Sequence, residues 1–278
     1  MALETAAQGK VLVFIPMYNC AAQAPRVIAQ LNDPRVAAQI GGVLCVDNRS
    51  TDGTVDAVLP ALEKAPVPFH RLLRNNDNYG LGGSHKVAMQ FARENGFDHL
   101  LVLHGDDQGA IADIIPFLES GAHREVDCLL GARFMRGSTL PGYSLIRILG
   151  NHVFNWIFTI VARQRVYDLG SGLNLFGRRV LEDPDVLRYS DDLRFNVYLL
   201  LDMVDKRRKI RYIPISWREE DQRSNVKLAS QAFKTLAIAY DYALKRAQFR
   251  STDHRDKPRA QYSSEVLSGA VIKGGAPV

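Results

Sequence analysis

The stretch VLCVDNRSTDGT, residues 43–54, holds one complete passage from a strand to a helix. The run is apolar until Asp47, which is typical of a strand covered on both faces of a parallel sheet. Thr51 and Asp52 then offer capping side chains, which predict that a helix begins near Thr54. A buried strand, a polar loop and a helix in this order form the repeating unit of α/β folds.

The same alternation continues on both sides of this stretch. Further apolar runs predict strands at 11–16, 69–73, 99–104, 127–131, 171–176 and 210–215. Helical patterns lie near 22–31, 54–64, 81–94, 110–120, 143–161, 192–205 and 228–247. This alternation predicts an α/β fold with a doubly wound sheet.

Composition narrows the class of protein. The chain has 278 residues, of which 46% are hydrophobic and 23% are charged, as in ordinary soluble globular proteins. Wholesale disorder, a collagen-like fibre and a small disulfide-stapled scaffold are therefore excluded. The formal net charge of +5 and the pI of about 9.1 favour phosphate-bearing partners such as nucleotides, anionic lipids or nucleic acids.

The cysteines and the termini bear on the compartment. The first ten residues lack the basic and then apolar order of a signal peptide, and Cys20, Cys45 and Cys128 are expected to be free thiols. We expect a cytoplasmic protein that touches a membrane without crossing it. Residues 1–9 are expected to form a flexible N-terminus, and residues 248–278, which are polar, basic and then Gly/Ala-rich, a disordered tail.

Polar side chains follow three predicted strands, at the edge where open α/β sheets bind ligands. They are Pro16, Tyr18 and Asn19 after the first strand, Asp47 to Thr54 after the second, and His104, Asp106 and Gln108 after the fourth. A carboxylate placed like Asp47 can accept hydrogen bonds from a nucleobase imide or a ribose hydroxyl. The alternative for Asp47 and Asp52 is that both only cap turns.

The alternation of His104, Asp106 and Gln108 indicates a cation site. In an extended loop these three side chains share one face. A hard cation that bridges a diphosphate takes carboxylate and amide oxygens, and Mn²⁺ also accepts imidazole. The alternative is a turn after a buried strand, with His104 hydrogen-bonded inside the protein.

Several motifs in this order resemble those of family-2 glycosyltransferases of GT-A fold, particularly the dolichyl- and polyprenyl-phosphate sugar synthases. The resemblance covers about residues 10–230. The motifs are FIPMYN (14–19), VDNRSTDGT (46–54), NYGLGG (78–83), LHGDDQ (103–108), GARF (131–134) and DLGSGLN (168–174). Four positions depart from the family pattern: Cys20 stands for Glu, Asn48 and His104 for Asp, and Asn174 for Arg. His104 lowers the negative charge of the metal site, which either weakens metal binding or favours Mn²⁺ over Mg²⁺.

The resemblance implies a fold, a reaction and a set of site residues. The fold is GT-A, with a mixed, mainly parallel, Rossmann-like sheet and a C-terminal helical region on the acceptor side. One domain spans 10–247, with a nucleotide-sugar half at 10–131 and an acceptor half at 132–247. The reaction is inverting transfer of a sugar from a UDP- or GDP-linked donor, with Mn²⁺ or Mg²⁺ as cofactor. The implied contacts are Pro16, Tyr18, Asn19, Asp47, Asn78, Gly80 and Asp106 for the nucleotide, His104, Asp106 and Gln108 for the metal, and Arg133, Arg147, Ser171, Arg218 and Lys227 for phosphate or acceptor.

The acceptor decides whether a general base is needed. A glycan hydroxyl must lose a proton, whereas a polyprenyl phosphate is already largely ionised near neutral pH. The resemblance gives Asp168 as the base or the acceptor-orienting group, with the Asp191–Asp192 pair as the alternative. Segment 217–227 resembles a mobile cationic segment of the family only loosely, and a solvated charged loop is the other interpretation.

The helical stretch 143–162 is apolar, with Trp156 and Arg147 suited to a membrane interface and a phosphate. An internal core helix and a dimer contact are the alternatives. Two other functions stay open at this point. A degenerate nucleotide-sugar-binding module is suggested by His104 and Asn48, and a nucleotidyltransferase is disfavoured because no Gly-rich cationic signature follows the first strand. Nucleic-acid binding is not expected, because acidic loops occupy the predicted ligand edge.

Overall fold

The computed structural model describes residues 10–219 and 228–269. Its strands are β1 (Val11–Met17), β2 (Gly42–Asp47), β3 (His70–Asn75), β4 (His99–Leu103), β5 (Cys128–Ala132), β6 (Leu173–Gly177), β7 (Ile210–Pro214) and β8 (Ser264–Gly269). Its helices are α1 (Ala24–Ala29), α2 (Pro34–Ala37), α3 (Thr54–Glu63), α4 (Gly80–Glu94), α5 (Ile115–Glu119), α6 (Leu145–Ala162), α7 (Arg178–Leu181), α8 (Phe195–Asp205), α9 (Leu228–Leu244) and α10 (Arg246–Ser251). The strands and helices predicted from the sequence are confirmed, with small shifts of their ends.

The strands of the described residues form one mixed sheet in the order β7-β5-β6-β4-β1-β2-β3-β8. β1 pairs in parallel with β2 and β4, and β2 pairs in parallel with β3. The carboxyl ends of these four strands therefore lie at one edge. β6 is antiparallel to β4 and β5, β7 is parallel to β5, and β8 is antiparallel to β3. The mainly parallel α/β sheet is confirmed.

Alternate side chains of the central strand face two separate cores. Leu12 and Phe14 belong to the cluster that contains α4 and α8, whereas Val13 and Ile15 belong to the cluster that contains α1 and α3. All seven residues of β1 are buried, because helices cover both faces of the sheet. This layering explains the continuous apolar runs in the sequence, and it leaves the strand ends as the open part of the sheet.

Residues 248–269 correct the predicted tail. They continue α10 and form β8, which extends the sheet beyond β3. Phe249 and Tyr262 are buried, so these two aromatic side chains anchor a segment whose composition is otherwise polar. The average composition of the segment did not reveal these two residues, and the prediction of disorder was wrong for residues 248–269. Residues 1–9 and 270–278 lie outside the described residues.

Helix α6 has the length and composition of a membrane-spanning helix, and in the described chain no other helix does. Only 17% of it is buried inside the protein, which excludes the interpretation as a core helix. Ile146 is 84% exposed and Trp156 is 65% exposed. Cys20, Cys45 and Cys128 are free and buried, as predicted.

Candidate active site

Two cavities meet at the carboxyl edge of the sheet. The sheet-edge cavity, of about 330 Å³, lies beyond β1 and β4, and its wall includes Pro16, Tyr18, Asn48, Asn78, Gly80 and Asp106. The helix cavity, of about 440 Å³, lies between α6 and α9, and its wall includes Arg133, Tyr143, Arg147, Gly170 and Asn196. Leu81, His104 and Leu193 line both cavities. Two ligands bound in these cavities would meet at this shared wall.

The structure brings five of the predicted nucleotide residues to the sheet-edge cavity: Pro16, Tyr18, Asn78, Gly80 and Asp106. The other two, Asn19 and Asp47, bind residues of the protein instead. Asn19 Oδ1 accepts a hydrogen bond from Thr51 N at 2.9 Å. Asp47 is fully buried, forms a 3.0 Å ion pair with Arg74 and accepts a hydrogen bond from Ser50 N. A contact between Asp47 and a nucleobase stays a prediction. Asp52 caps α3 through Thr54 N, as the turn interpretation expected.

An asparagine network that the sequence analysis missed orders the same wall. Asn48 Nδ2 donates to Asn78 Oδ1 at 2.8 Å, and Asn48 Oδ1 accepts from Asn75 Nδ2 and Tyr79 N, each at 2.9 Å. A carboxylate at position 48 has no donor for Asn78. The amide at position 48 therefore binds Asn78 while Asn78 Oδ1 also accepts from Gly80 N, whereas an Asp there would bind Asn78 only through a reversed Asn78 amide. Asn75, the last residue of β3, was the available signal because its polar side chain ends a buried strand.

Residues 77–83, the glycine loop, pack against the backbone of Asp191. Gly82 N donates to Asp191 O at 2.7 Å, and Gly83 N donates to the same oxygen at 3.2 Å. Gly80 has a φ of +71°, and a Cβ there would lie 2.4 Å from Asp191 O. These glycines are thus required by a close backbone contact as well as by the turn.

Asp106 and Asp107 are adjacent but serve different purposes. Asp107 forms ion pairs with Arg26 at 2.8 Å and Arg218 at 2.6 Å, so its carboxylate joins three segments of the chain. Asp106 lines the sheet-edge cavity and accepts only from Gln108 N, at 3.2 Å, and in the described part of the chain it has no ion pair. Burial raises the pKa of Asp106 to about 6. The Asp106 carboxylate therefore has free acceptor positions at which a cation can bind.

His104 occupies the place of the family's first metal-binding Asp. Its Nε2 is buried and has no hydrogen-bond partner among the described residues, which contradicts the alternative interpretation that the ring is hydrogen-bonded inside the protein. Burial, aided by the charge of Arg133, lowers the pKa of His104 to about 4, so the ring is neutral. A Cβ at residue 172 would lie 2.6 Å from His104 Cγ, and Gly172 therefore leaves the space that the imidazole fills.

The residues around Asp106 fit a divalent cation with few protein ligands. The described chain contains no group of three His, Cys, Asp or Glu side chains around one point. Asp106 supplies one free carboxylate, and phosphate oxygens and water commonly complete the shell of Mg²⁺ or Mn²⁺. Ligation by His104 and by the Gln108 side chain stays a prediction.

Two predicted site residues, Arg133 and Asp168, bind each other. Arg133 Nε and Nη2 each lie 2.8 Å from an Asp168 oxygen, and Arg133 N and Gly170 N also donate to this carboxylate. Burial alone would lower the pKa of Arg133, but the charge and hydrogen bonds of Asp168 raise it above its ordinary value. Asp168 therefore has no free acceptor position for a substrate proton in this arrangement.

The remaining predicted acceptor residues are also engaged. Arg147 lines the helix cavity and forms a 2.5 Å ion pair with Glu219. Arg218 holds Asp107, and the Ser171 hydroxyl is buried, where it donates to Leu173 O at 3.1 Å. Ser171 thus stabilises a turn. Its hydroxyl is too deeply buried for the predicted contact with the acceptor. Lys227, with most of segment 217–227, lies outside the described residues.

The pair Asp191–Asp192 is bound by cations as well. Asp191 Oδ1 lies 2.6 Å from Lys86 Nζ. Asp192 Oδ1 accepts from Arg194 N at 2.8 Å, just before α8. Burial raises the pKa of Asp192, but the hydrogen bonds from Arg194 prevail and lower it below its ordinary value. Neither residue is an unpaired base.

Helices α6 and α9 together form what we call the apolar surface. They pack against each other and flank the helix cavity. Their exposed apolar side chains are Leu145, Ile146, Leu149, Val153, Trp156 and Ile160 on α6, and Phe233, Leu236, Tyr240 and Leu244 on α9. Two exposed cations lie beside this surface: Lys234 on α9, and Arg163 directly after the end of α6. Large exposed apolar patches mark interaction sites.

Residues 12–183, more than half of the chain, match the family model described as Glycosyl transferase family 2. The chain belongs to glycosyl transferase family 2. It is therefore a glycosyltransferase, and the resemblance noted in the sequence is confirmed at the level of the family. A search of curated proteins gives no match.

Solved structures of similar fold are enzymes of the same kind. Glucosyl-3-phosphoglycerate synthase from Mycobacterium tuberculosis superposes with a TM-score of 0.61 at 14% identity, over 86% of this chain and 82% of that chain. Mannosyl-3-phosphoglycerate synthase from Rubrobacter xylanophilus gives a TM-score of 0.59 at 15% identity, over 86% and 75%. One structure of the mycobacterial enzyme holds Mn²⁺, UDP-glucose and glycerol 3-phosphate. At this identity the likeness establishes the GT-A fold.

Proposed function

We propose that this enzyme transfers a sugar, with inversion, from a nucleoside diphosphate sugar to a lipid phosphate such as a polyprenyl phosphate. The nucleotide occupies the sheet-edge cavity and the acceptor phosphate enters the helix cavity. A phosphate oxygen attacks the anomeric carbon at the shared wall, the bond from that carbon to the diphosphate breaks, and the nucleoside diphosphate leaves. No proton has to be removed from an ionised phosphate.

The observation that carries the choice of acceptor is the pairing of the candidate bases. Asp168, Asp191 and Asp192 are each bound to an Arg or Lys side chain at 2.6–2.9 Å. A hydroxyl acceptor needs a free base within hydrogen-bond reach of its proton. A phosphate acceptor needs none. It needs hydrogen-bond donors, and the guanidinium groups of Arg133 and Arg147, each held by an acidic partner, line the helix cavity.

Asp106 is proposed to hold the divalent cation that accompanies the donor. The cation offsets the negative charge that develops on the departing diphosphate. The chain itself contributes the carboxylate of Asp106, the Asn48–Asn78 network and the glycine loop, which shape the cavity beside it. The neutral ring of His104 separates the two cavities and leaves Asp106 as the main anion beside the diphosphate.

The apolar surface supports a lipid acceptor. Phe233 is 75% exposed and Trp156 is 65% exposed, and both belong to helices that flank the helix cavity. An amphipathic surface with nearby cations gains free energy at an anionic bilayer from apolar burial and from charge attraction. We propose that the enzyme is cytoplasmic and lies peripherally at the inner face of a membrane.

The experiment is a transfer assay with purified enzyme, Mn²⁺ and a panel of UDP- and GDP-sugars. Polyprenyl phosphate in anionic vesicles is the acceptor, and the product is detected by mass spectrometry. We expect a sugar phosphate lipid from one donor class, and no product from the Asp106→Asn variant. No transfer and no donor hydrolysis with any donor contradict the proposal and support a degenerate binding module.

A second acceptor class has its own support. Arg133 and Arg147 also suit a small phosphorylated hydroxy acid, and structures of similar fold carry phosphoglyceric acid. In the same assay 3-phosphoglycerate replaces the lipid. Transfer to its hydroxyl would require one of the paired carboxylates to be released on binding, and it would overturn the lipid phosphate assignment.

A further inference from the structure

The C-terminal strap, residues 252–269, lies outside the family match at 12–183 and packs behind the glycine loop. Asn76, just before this loop, donates from N to Ser263 O at 3.1 Å and from Nδ2 to Ser263 Oγ at 2.8 Å. Arg259 forms a 2.8 Å ion pair with Asp77. The strap thus binds the residue before the loop and the first residue of the loop.

Two aromatic rings extend this contact along the loop. Tyr262 packs edge-on against Tyr79, with ring centroids 5.3 Å apart, and the guanidinium of Arg259 lies 4.8 Å from the Tyr79 ring. A Cβ on Gly83 would lie 2.4 Å from Tyr79 Cβ and 3.3 Å from the Tyr262 ring. The contacts of Tyr262 and Arg259 therefore hold the Tyr79 ring, in the middle of the loop, against the strap.

A buried polar cluster connects the strap to the other side of the loop. The Tyr262 hydroxyl donates to Asp191 Oδ1 at 2.6 Å, and Lys86 Nζ lies 2.6 Å from the same oxygen and 3.0 Å from the Tyr262 hydroxyl. Lys86 is almost fully buried, so its ammonium group depends on these partners. The backbone oxygen of Asp191 accepts from Gly82 N and Gly83 N.

We propose that Tyr262 is a positioning residue that holds the donor-binding wall through Asp191. One hydroxyl fixes the Asp191 carboxylate, the Asp191 backbone fixes the start of α4, and this start places Asn78 and Gly80 in the sheet-edge cavity. Leu193, two residues after Asp191, lies on the wall that both cavities share. This inference rests on the proposed function for its donor, but the mechanical link is a property of the described residues alone.

Donor binding and backbone exchange test the proposal together in the full-length chain. Tyr262→Phe removes only the hydroxyl. We expect Kd for UDP or GDP with Mn²⁺ to rise at least about tenfold, because the hydroxyl bonds the charged groups of Asp191 and Lys86. The KM of the acceptor should change far less, because Asn78 and Gly80 line the sheet-edge cavity and not the helix cavity. Amide hydrogen exchange should increase in residues 77–83. Arg259→Ala, which removes a separate anchor, should act in the same direction.

Tyr242→Phe is the matched control, since the Tyr242 hydroxyl donates to Asp205 at 2.6 Å and contacts Arg246. It removes a similar buried hydroxyl whose partners, Asp205 and Arg246, lie outside the glycine loop. Tm should therefore fall comparably while donor affinity and loop exchange stay as in the wild type. Unchanged exchange in 77–83 for Tyr262→Phe overturns the proposal, as does increased exchange with unchanged donor affinity. If the wild type binds neither UDP nor GDP, the proposed function fails, and the exchange result still decides whether Tyr262 holds the loop.

Discussion

Arg133 and Asp168 form a bidentate ion pair in which both N–O distances are 2.8 Å. Both side chains are largely buried, and the Arg133 guanidinium also lies 5.4 Å from the Trp217 ring. Each residue was predicted to act on the substrate by itself. Their mutual pairing instead fixes Arg133 in the wall of the helix cavity.

Removal of one partner of this pair should destabilise the protein strongly. Asp168→Asn leaves the Arg133 charge buried without its counterion, and we expect the free energy of unfolding to fall by about 3–5 kcal/mol. Urea denaturation measures this loss. The double variant Arg133→Gln, Asp168→Asn should recover part of it, because no uncompensated charge is left. A loss below about 1 kcal/mol for the single variant would show that the pair is solvated.

Asp106 should lower stability at neutral pH, as expected of a binding carboxylate. Its pKa of about 6 in the folded state lies above the ordinary value of 3.8. Between pH 3.8 and about 6 the folded protein holds this proton while the unfolded chain releases it. The stability that the protonated group contributes is therefore full below pH 3.8 and is lost as pH rises through about 6. Asp106→Asn removes the penalty and should raise the free energy of unfolding by about 3 kcal/mol at pH 8 and by only about 0.5 kcal/mol at pH 4. The difference between variant and wild type, measured across pH, isolates this group.

The same carboxylate predicts the pH dependence of cation binding. Mn²⁺ competes with the proton on Asp106, so one pH unit below its pKa the affinity for Mn²⁺ with nucleotide should be about tenfold lower than the plateau above pH 7. Calorimetric titration at pH 5 and pH 7.5 measures this ratio. In Asp106→Asn the cation should no longer strengthen nucleotide binding, and the pH dependence that remains should be that of the nucleotide's own phosphate. A pH-independent affinity in the wild type would remove Asp106 from the cation site.

Two glycines with similar backbone angles separate the cost of conformation from the cost of contact. Gly53 has a φ of +82° and open space around its Cβ position, whereas Gly80 has a φ of +71° and would bring a Cβ to 2.4 Å from Asp191 O. Gly53→Ala should cost only the left-handed strain of about 1–2 kcal/mol. Gly80→Ala should cost clearly more and should abolish binding of UDP or GDP. Equal losses of stability in the two variants would contradict the close contact at Asp191.

The sequence predicted the sheet well because burial on both faces produces long apolar runs. It predicted the chemistry of the site less well, because charge pairing depends on distant segments. Arg133 and Asp168 lie 35 positions apart, and nothing in either motif shows that they bind each other. The role of Tyr262 could not be predicted for the same reason. Its hydroxyl binds Lys86 and Asp191, which are distant in the sequence, and one aromatic residue in a polar tail does not indicate these contacts.

The apolar surface should bind anionic membranes, and this can be tested without knowledge of the donor. Trp156→Glu places a charge at an exposed interfacial position, where it loses apolar burial and repels anionic headgroups. We expect the affinity for phosphatidylglycerol vesicles, measured by cosedimentation, to fall at least about tenfold. The variant loses the burial of the Trp156 ring in the bilayer and adds one negative charge, and the two free-energy losses together exceed about 1.4 kcal/mol. Leu187→Glu is the control, because Leu187 is exposed but lies outside α6 and α9. Unaltered vesicle binding in Trp156→Glu, or a shift from dimer to monomer instead, would show that this surface contacts a second copy of the chain.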